Sequence, residues 1–370
     1  MVKSTTMCMH RGPRTDLREI VGYAGAFMAC LTGSGFATGQ EILQYFAAYG
    51  LKGFFVSATM LALFSVIGSC FVLAGKRENF VRSSEIFRYY CGPHVGAFYD
   101  GFTTLFVFLS YVVMIAGAGA ALQQQFGVPS VLASLCMMAL VCATTLLGFG
   151  NIMKIIGKIG PAIAGLSVLV GVLSFLSNPT GLIEHAEQIS SGAITVNRVG
   201  TGLLSSTCSY VGFCLLWLAS FLTNMGRNTD HVKARVYGVV AGSTGFTVSC
   251  TAMMLGLLAW LPEIAGAEIP ALILASRLSP ALALILSIAI FFGIYTAAVP
   301  LLWQASSRFA SEGSGKYQGT TITFAIFGAG IALLFPFSVL VNAIYGVSGY
   351  IGFFLGFFVI KKELTRFFQR

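Results

Sequence analysis

Long apolar segments alternate with short polar segments along this chain, and each apolar segment has the length of a membrane-spanning helix. A transmembrane helix needs about 20 mostly apolar residues, so each segment predicts one crossing. The ten predicted spans are 19–49, 51–75, 95–126, 129–147, 150–177, 201–225, 232–260, 279–307, 319–336 and 338–360. The pattern predicts an all-α integral membrane protein with one transmembrane domain, 19–360, between polar tails at 1–18 and 361–370.

The composition agrees with this prediction and excludes several functions. The chain is 56% hydrophobic and 9% charged, whereas soluble domains carry about 25% charged residues. Its net charge of +9 comes from Lys and Arg in short loops, so we expect membrane lipid as a partner and no nucleic acid. The sequence has no CxxC pair, phosphate-binding loop, HExxH or GxSxG motif. We therefore expect no enzyme activity, no metal site and no cofactor, with Na⁺ or H⁺ as a possible coupling ion.

Lys and Arg also predict the orientation, because they are enriched in cytoplasmic loops. If the N-terminus is inside, 19 of the 22 Lys and Arg residues fall on the cytoplasmic side. The exceptions are Lys52, Arg198 and Arg277. The bias alternates correctly through every loop. It predicts an even number of crossings in the cytoplasmic (inner) membrane, with both termini inside.

Two longer, mildly amphipathic connections, 76–94 and 261–278, occupy corresponding places in the two halves of the chain. Division after the fifth span gives two sets of five spans, at about 19–177 and 201–360, that begin on opposite sides of the membrane. This layout is typical of the inverted repeats of secondary transporters. It predicts a five-plus-five inverted repeat.

The centre of the first span is poor material for a lipid-facing helix. It reads Gly33-Ser34-Gly35-Phe36-Ala37-Thr38-Gly39-Gln40-Glu41, and each Gly costs a helix about 1 kcal/mol relative to Ala. Irregular backbone at membrane depth persists only where protein or a water-filled cavity satisfies its polar groups. We interpret this stretch as a helix break that forms a binding site. The predicted substrate-binding residues here are Gly33, Ser34, Gly35, Phe36, Thr38 and Glu41.

A repeat would place a second break in the sixth span. Its centre carries Ser209, Tyr210 and Gly212 among further hydroxyl residues, and these three are predicted to bind substrate. Small residues also let membrane helices pack closely, so close packing is an equal alternative.

Glu41 is the only acidic residue deep in the first span. A carboxylate there is a functional hypothesis by default, either for binding an ammonium group or for carrying a proton. The alternative is structural, because Thr38 and Glu41 have the spacing of a capping box.

Three further residues have both a functional and a structural interpretation. Lys158 in the fifth span can exchange a proton or take the place of sodium, or can extend to the headgroups as a topology charge. Thr296 in the eighth span can help to coordinate a cation, or can bond to its own helix. Tyr111 in the third span can contact a substrate carboxylate, or can be a packed ring.

The motif from Gly33 to Ile42, followed by Gln44-Tyr45-Phe46 and Gly50, resembles the first helix of the YkvI-like membrane protein family. That family is related to the amino acid–polyamine–organocation transporters of the LeuT-type fold. The resemblance implies a substrate site at spans 1 and 6, completed by spans 3 and 8. It implies sodium coupling through Thr296 or proton coupling through Lys158. Gln40 and Glu41 directly after the break depart from the better-known amino acid transporters.

These observations together predict a secondary transporter, for example a symporter, that moves a small polar solute such as an amino acid or amine with H⁺ or Na⁺ by alternating access. The alternative is a membrane sensor that binds a ligand in the same pocket and moves nothing. Substrate, direction and oligomeric state are not predicted.

Overall fold

The computed structural model describes the backbone of residues 13–82, 84–147, 153–227 and 231–369, and the side chains in these ranges except those of 13–16 and 153–161. This part of the chain is helical and contains no strand. The helices are α1 (Pro13–Leu31), α2 (Ser34–Ala37), α3 (Gln40–Tyr45), α4 (Gly53–Glu78), α5 (Glu85–Phe126), α6 (Ser130–Leu147), α7 (Met153–Ser177), α8 (Pro179–Ser191), α9 (Leu203–Arg227), α10 (Val232–Ala259), α11 (Leu261–Ile264), α12 (Pro270–Leu278), α13 (Pro280–Ser307), α14 (Gly315–Leu334), α15 (Phe337–Leu340) and α16 (Gly346–Phe368). The predicted all-α membrane architecture is confirmed.

The helices correspond to the predicted spans, except that the first span is divided into three pieces. Within the described ranges, eight helices are long and apolar enough to cross a membrane, or nine if α7 and α8, which meet at a 91° bend, form one span. The eight helices match the predicted spans 2–4 and 6–10, and the bent pair of α7 and α8 matches span 5. The first span is divided into α1, α2 and α3, so none of its pieces is among the eight. The total of ten and the inverted repeat stay predictions.

Charged side chains connect helix ends on one side of the bundle. Arg77, near the end of α4, donates to the Glu363 carboxylate in α16 over 2.8 Å. Arg227, at the end of α9, donates to the Val81 carbonyl just before α5 over 2.8 Å. All of these ends were predicted to be cytoplasmic, so the structure agrees with the alternation of the crossings there. The side of the membrane on which they lie stays a prediction.

The sixth span is one uninterrupted helix, α9, so the predicted break at Ser209–Gly212 is wrong. A Cβ at Gly212 would lie 1.8 Å from the Gly349 carbonyl oxygen in α16, and a Cβ at Gly349 would lie 2.1 Å from the Ser209 carbonyl oxygen. Small residues permit this backbone approach. The alternative interpretation, close packing of the helix on a neighbour, is the one that the structure supports.

The tenth span contains an interruption that was not predicted. After the single turn of α15, residues Val341–Tyr345 form a π-helical turn before α16 begins. Such turns are rare and often accompany functional sites. The Ser209 hydroxyl of α9 donates to the Gly346 carbonyl over 3.0 Å. The irregular part of the last span therefore lies against the middle of α9.

Candidate functional site

The predicted break in the first span is present, and it lies inside the protein. All residues of the range 31–48 are buried. In a continuous helix the Ser34 amide would bond to the Cys30 carbonyl, but it points instead to the Met114 Sδ of α5 at 3.3 Å. A thioether is a weak acceptor. Helix α1 itself packs mainly on α10 and α7, and the contact with α5 is made by α2, just after the break.

A second interruption separates α2 from α3. Gly39 has φ +81°, in the left-handed region that favours glycine. The Thr38 hydroxyl donates to the Gly35 carbonyl over 3.2 Å and accepts from the Gln40 amide at 3.3 Å. The predicted capping box is wrong, because Gly39 is the N-cap and Glu41 is the second residue of α3. Glu41 does lie in the first turn of α3, where the helix dipole favours a negative charge.

The Glu41 side chain folds back over the turn of α2. A Cβ at Gly35 would lie 2.1 Å from Glu41 Oε1, 2.5 Å from its Cγ and 2.6 Å from its Cδ. Glu41 is 1% exposed, and within the described residues Oε1 has no hydrogen-bond partner. The second glycine of the motif is therefore required by the position of the carboxylate.

Aromatic rings from three elements form a buried cluster beside α3. Tyr45 of α3 lies 5.1 Å from Tyr210 and 5.7 Å from Phe213 of α9, measured between ring centroids. Phe213 stacks on Tyr345 of the π turn at 4.7 Å. Helix α3, which carries Glu41, contacts both α9 and the π turn. The break, α9 and the π turn therefore meet beside this buried carboxylate.

Several polar atoms in this region have no hydrogen-bond partner among the described residues. They are Ser34 Oγ, Gln40 Oε1, Glu41 Oε1, Trp217 Nε1 and Tyr345 Oη. Buried polar groups in proteins are nearly always bonded, so each such group calls for an explanation. Several such atoms lie in one region, on the two irregular spans and α9, and they mark this region as the candidate site.

The predicted residues of α9 take different parts in this arrangement. The Tyr210 ring belongs to the aromatic cluster, and its hydroxyl lies 3.9 Å from Cys250 Sγ of α10. The Ser209 hydroxyl lies 3.5 Å from the Tyr45 hydroxyl. Gly212 permits the close contact of α9 with α16.

Phe36 of α2 was also predicted to bind substrate. Its ring packs on Phe246 of α10, with ring centroids 5.0 Å apart.

The remaining predicted residues are not shown in contact with the break. Tyr111 is buried, and its hydroxyl donates to the Ala325 carbonyl of α14 over 3.3 Å. Thr296 donates to the Gly293 carbonyl of its own helix over 3.1 Å, although α13 does contact α2. Lys158 lies in α7, but its side chain is outside the described residues. Their predicted roles stay predictions.

The connection 261–278 covers the break from the side predicted to be external. The Ala271 amide of α12 donates to the Thr38 carbonyl over 2.9 Å, and a Cβ at Gly39 would lie 3.2 Å from the same amide nitrogen. Gln124, near the end of α5, bonds to both the amide and the carbonyl of Ile269. The sequence indicated an amphipathic connection here but gave no sign of this contact.

A carboxylate also joins this connection to the last span. Glu268 accepts from the amide and the hydroxyl of Ser338, each over 2.8 Å, at the start of α15. Gln44 of α3 donates to the Ser338 carbonyl over 3.0 Å and accepts from Asn342 at 3.1 Å. These bonds hold the two irregular spans together on the predicted external side. They were missed because pairs 70 to 298 residues apart leave no pattern in a single sequence.

No metal-binding group is found in the described part of the chain, taking three or more His, Cys, Asp or Glu side chains as the criterion. Divalent ions such as Ca²⁺ usually take six or more oxygen ligands. Among the described side chains, Glu41 is the only carboxylate in the buried class.

A relative of known sequence aligns with nearly the whole chain. The chain is 24% identical over 347 residues to the uncharacterized membrane protein YkvI of Bacillus subtilis (strain 168), which covers 93% of this chain and 96% of the relative. The chain resembles YkvI over nearly its whole length. The similarity to the YkvI-like proteins predicted from the first-span motif is thus confirmed. No protein-family model matches the chain.

Solved structures give a weaker likeness. A variant of the Eremococcus coleocola manganese transporter aligns with TM-score 0.44 and 15% identity, over 94% of this chain and 71% of that one. The same transporter in complex with an aromatic bis-isothiourea substituted compound aligns with the same score and identity over 97% of this chain and 74% of that one. At these values neither the metal nor the compound transfers to this chain.

Proposed function

We propose that the protein is a secondary active transporter of a small polar solute, of the amino acid or amine type, coupled to H⁺ or Na⁺ by alternating access. The observation that carries the proposal is Glu41, a buried carboxylate with an unpartnered oxygen at the break in the predicted first span. Such residues are costly in a membrane and are typical of substrate or ion pathways. If the carboxylate were purely structural, we would expect both of its oxygens to accept hydrogen bonds from the protein.

The surroundings of the carboxylate support transport rather than catalysis. Broken helices that face a polar group inside the bundle are a recurring way to bind solutes in secondary transporters. The contact of 261–278 with Thr38 closes the predicted external side, while the rest of the site is also buried. Movement of this connection away from Gly39 would open a route to the break.

The experiment is a ligand screen followed by a flux measurement. Purified full-length protein is heated with amino acids and with amines, with and without sodium, and the ligands that raise its melting temperature are selected. Uptake of the selected solutes into liposomes is then measured for the wild type, Glu41→Gln and Glu187→Gln. The last is a matched control, because Glu187 is exposed on α8.

We expect uptake by the wild type and by Glu187→Gln, and loss of uptake by Glu41→Gln with an unchanged folded fraction. Ligand binding without flux in the wild type would contradict transport and would favour a sensor. Full uptake by Glu41→Gln would contradict the proposed site while leaving transport in place.

A further inference from the structure

Glu41 differs from every other charged residue whose side chain the structure describes. It is the only Asp, Glu, Lys or Arg among them in the buried class. No ion pair to it is found within the described residues, where the pairs involve Glu78, Glu363, Glu263 and Asp100. An isolated ionised carboxylate is strongly disfavoured in an apolar interior. Without a pairing cation, Glu41 must therefore hold a proton or bind a cationic ligand.

Among the described side chains, those that interact with Glu41 supply no positive charge. They are the phenols of Tyr45, Tyr210 and Tyr345 from α3, α9 and the π turn, and the thiols of Cys214 on α9 and Cys250 on α10. Phenols and thiols are neutral or negative in every protonation state. The side chain of Lys158 is outside the described residues.

The same surroundings define the kind of cation. Tyr45 and Tyr210 pack edge-to-face beside α3, and aromatic rings attract ammonium groups by cation–π interaction. The free Ser34 Oγ and Tyr345 Oη can bond to a polar substituent. A hard metal ion would need several oxygen ligands, and Glu41 is the only buried carboxylate among the described side chains. An organic cation with one positive charge satisfies the carboxylate and the rings together.

From this geometry we infer that Glu41 binds either a proton or a monovalent organic ammonium ion, never both, so that the protein exchanges one for the other. This inference rests on the proposed transport function and specifies its substrate class and coupling. When the ammonium ion binds, the O–H bond of the carboxylic acid breaks and the proton leaves to water on the side that is open. When the ammonium ion leaves, a proton from the other side restores the acid. One positive charge crosses in each direction, so the cycle moves no net charge.

The test uses choline, a quaternary ammonium ion that cannot cross a bilayer as a neutral base. Full-length protein is placed in sodium-free liposomes that contain a pH-sensitive dye, with the membrane potential clamped by potassium and valinomycin. External choline is then added at equal pH on both sides. Exchange predicts choline entry with alkalinisation of the lumen by an equal number of protons. Glu41→Gln should abolish both signals, and Glu187→Gln should retain them.

A binding measurement on the wild type keeps the inference testable if Glu41→Gln does not fold. Calorimetry of choline binding in buffers of different ionisation heat should show proton release. At low pH, where the acid form dominates, the apparent Kd should rise by close to tenfold for each unit that the pH falls. Binding without proton release, or an affinity that does not change with pH, would overturn the inference.

Other outcomes separate this inference from the proposed function. Uptake of choline with acidification or with no pH change, or uptake of L-alanine but not choline, would overturn exchange and leave transport standing. Proton-coupled binding that occurs only in Lys158→Gln would show that the lysine neutralises Glu41, and would also overturn it. If neither choline nor L-alanine crosses under any condition, with or without sodium, the proposed transport function fails as well.

Discussion

Gly35→Ala tests whether the carboxylate of Glu41 has to be where the structure places it. The added Cβ would lie 2.1 Å from Oε1, and real Cβ atoms essentially never come closer than 3.0 Å to another atom. The carboxylate must therefore retreat by about 1 Å, and a misplacement of that size in a functional site can cost about 100-fold in rate. The overpacking itself should cost about 1–3 kcal/mol of stability.

The assay is initial choline uptake by liposomes, with melting temperature as the measure of folding. We expect Gly35→Ala to lower uptake about 100-fold while most of the protein remains folded. Gly101→Ala is the matched control, because Gly101 lies in α5 and a Cβ there would meet no neighbouring atom within 4 Å. Wild-type uptake by Gly35→Ala would refute the assigned position of the carboxylate.

Three further substitutions test the packing around the site by melting temperature in detergent. Gly212→Ala should lower stability by about 1–3 kcal/mol or more, because its Cβ would meet the Gly349 backbone at 1.8 Å. Gly330→Ala should leave stability unchanged, because its Cβ would have no atom within 4 Å. Equal effects of the two changes would contradict the close contact of α9 with α16. Arg77→Gln should lower stability by about 1–2 kcal/mol, because Arg77 and Tyr90 both donate to the Glu363 carboxylate. Arg277 is more exposed, so Arg277→Gln should lower stability by less than about 1 kcal/mol. A larger loss from Arg277→Gln than from Arg77→Gln would be inconsistent with this network. Glu268→Gln should cost about 1–2 kcal/mol, because an amide can accept only one of the two Ser338 bonds, and an unchanged melting temperature would show that this closure is not stabilising.

The break in the first span was predictable because its cause is local. Three glycines in seven residues weaken a helix, and their effect is visible in the sequence. The α9 prediction failed because Ser209 and Gly212 are equally suited to a helix break and to close packing. The choice depends on Gly349, which lies 137 residues after Gly212. A single sequence does not show that these two residues face each other.

The candidate site was predicted in part for the same reason. Glu41 was visible as a lone acidic residue in an apolar segment. The capping box was wrong because the turn is closed by the left-handed Gly39, one residue later than the pattern implied. Tyr345 and Gln44 take part through the π turn of the last span, and nothing in the local pattern marked that turn. Contacts between distant segments decide those details.

Carbodiimide labelling of Glu41 tests the central claim most directly, because dicyclohexylcarbodiimide reacts with protonated carboxyl groups in apolar surroundings. Purified protein is treated with the reagent with and without choline, and the fraction of modified Glu41 is measured by peptide mass spectrometry. The account predicts that Glu41 is modified without choline and protected in its presence, most strongly at high pH. Labelling of Glu41 that choline does not change, although choline is taken up by the same preparation, would contradict it.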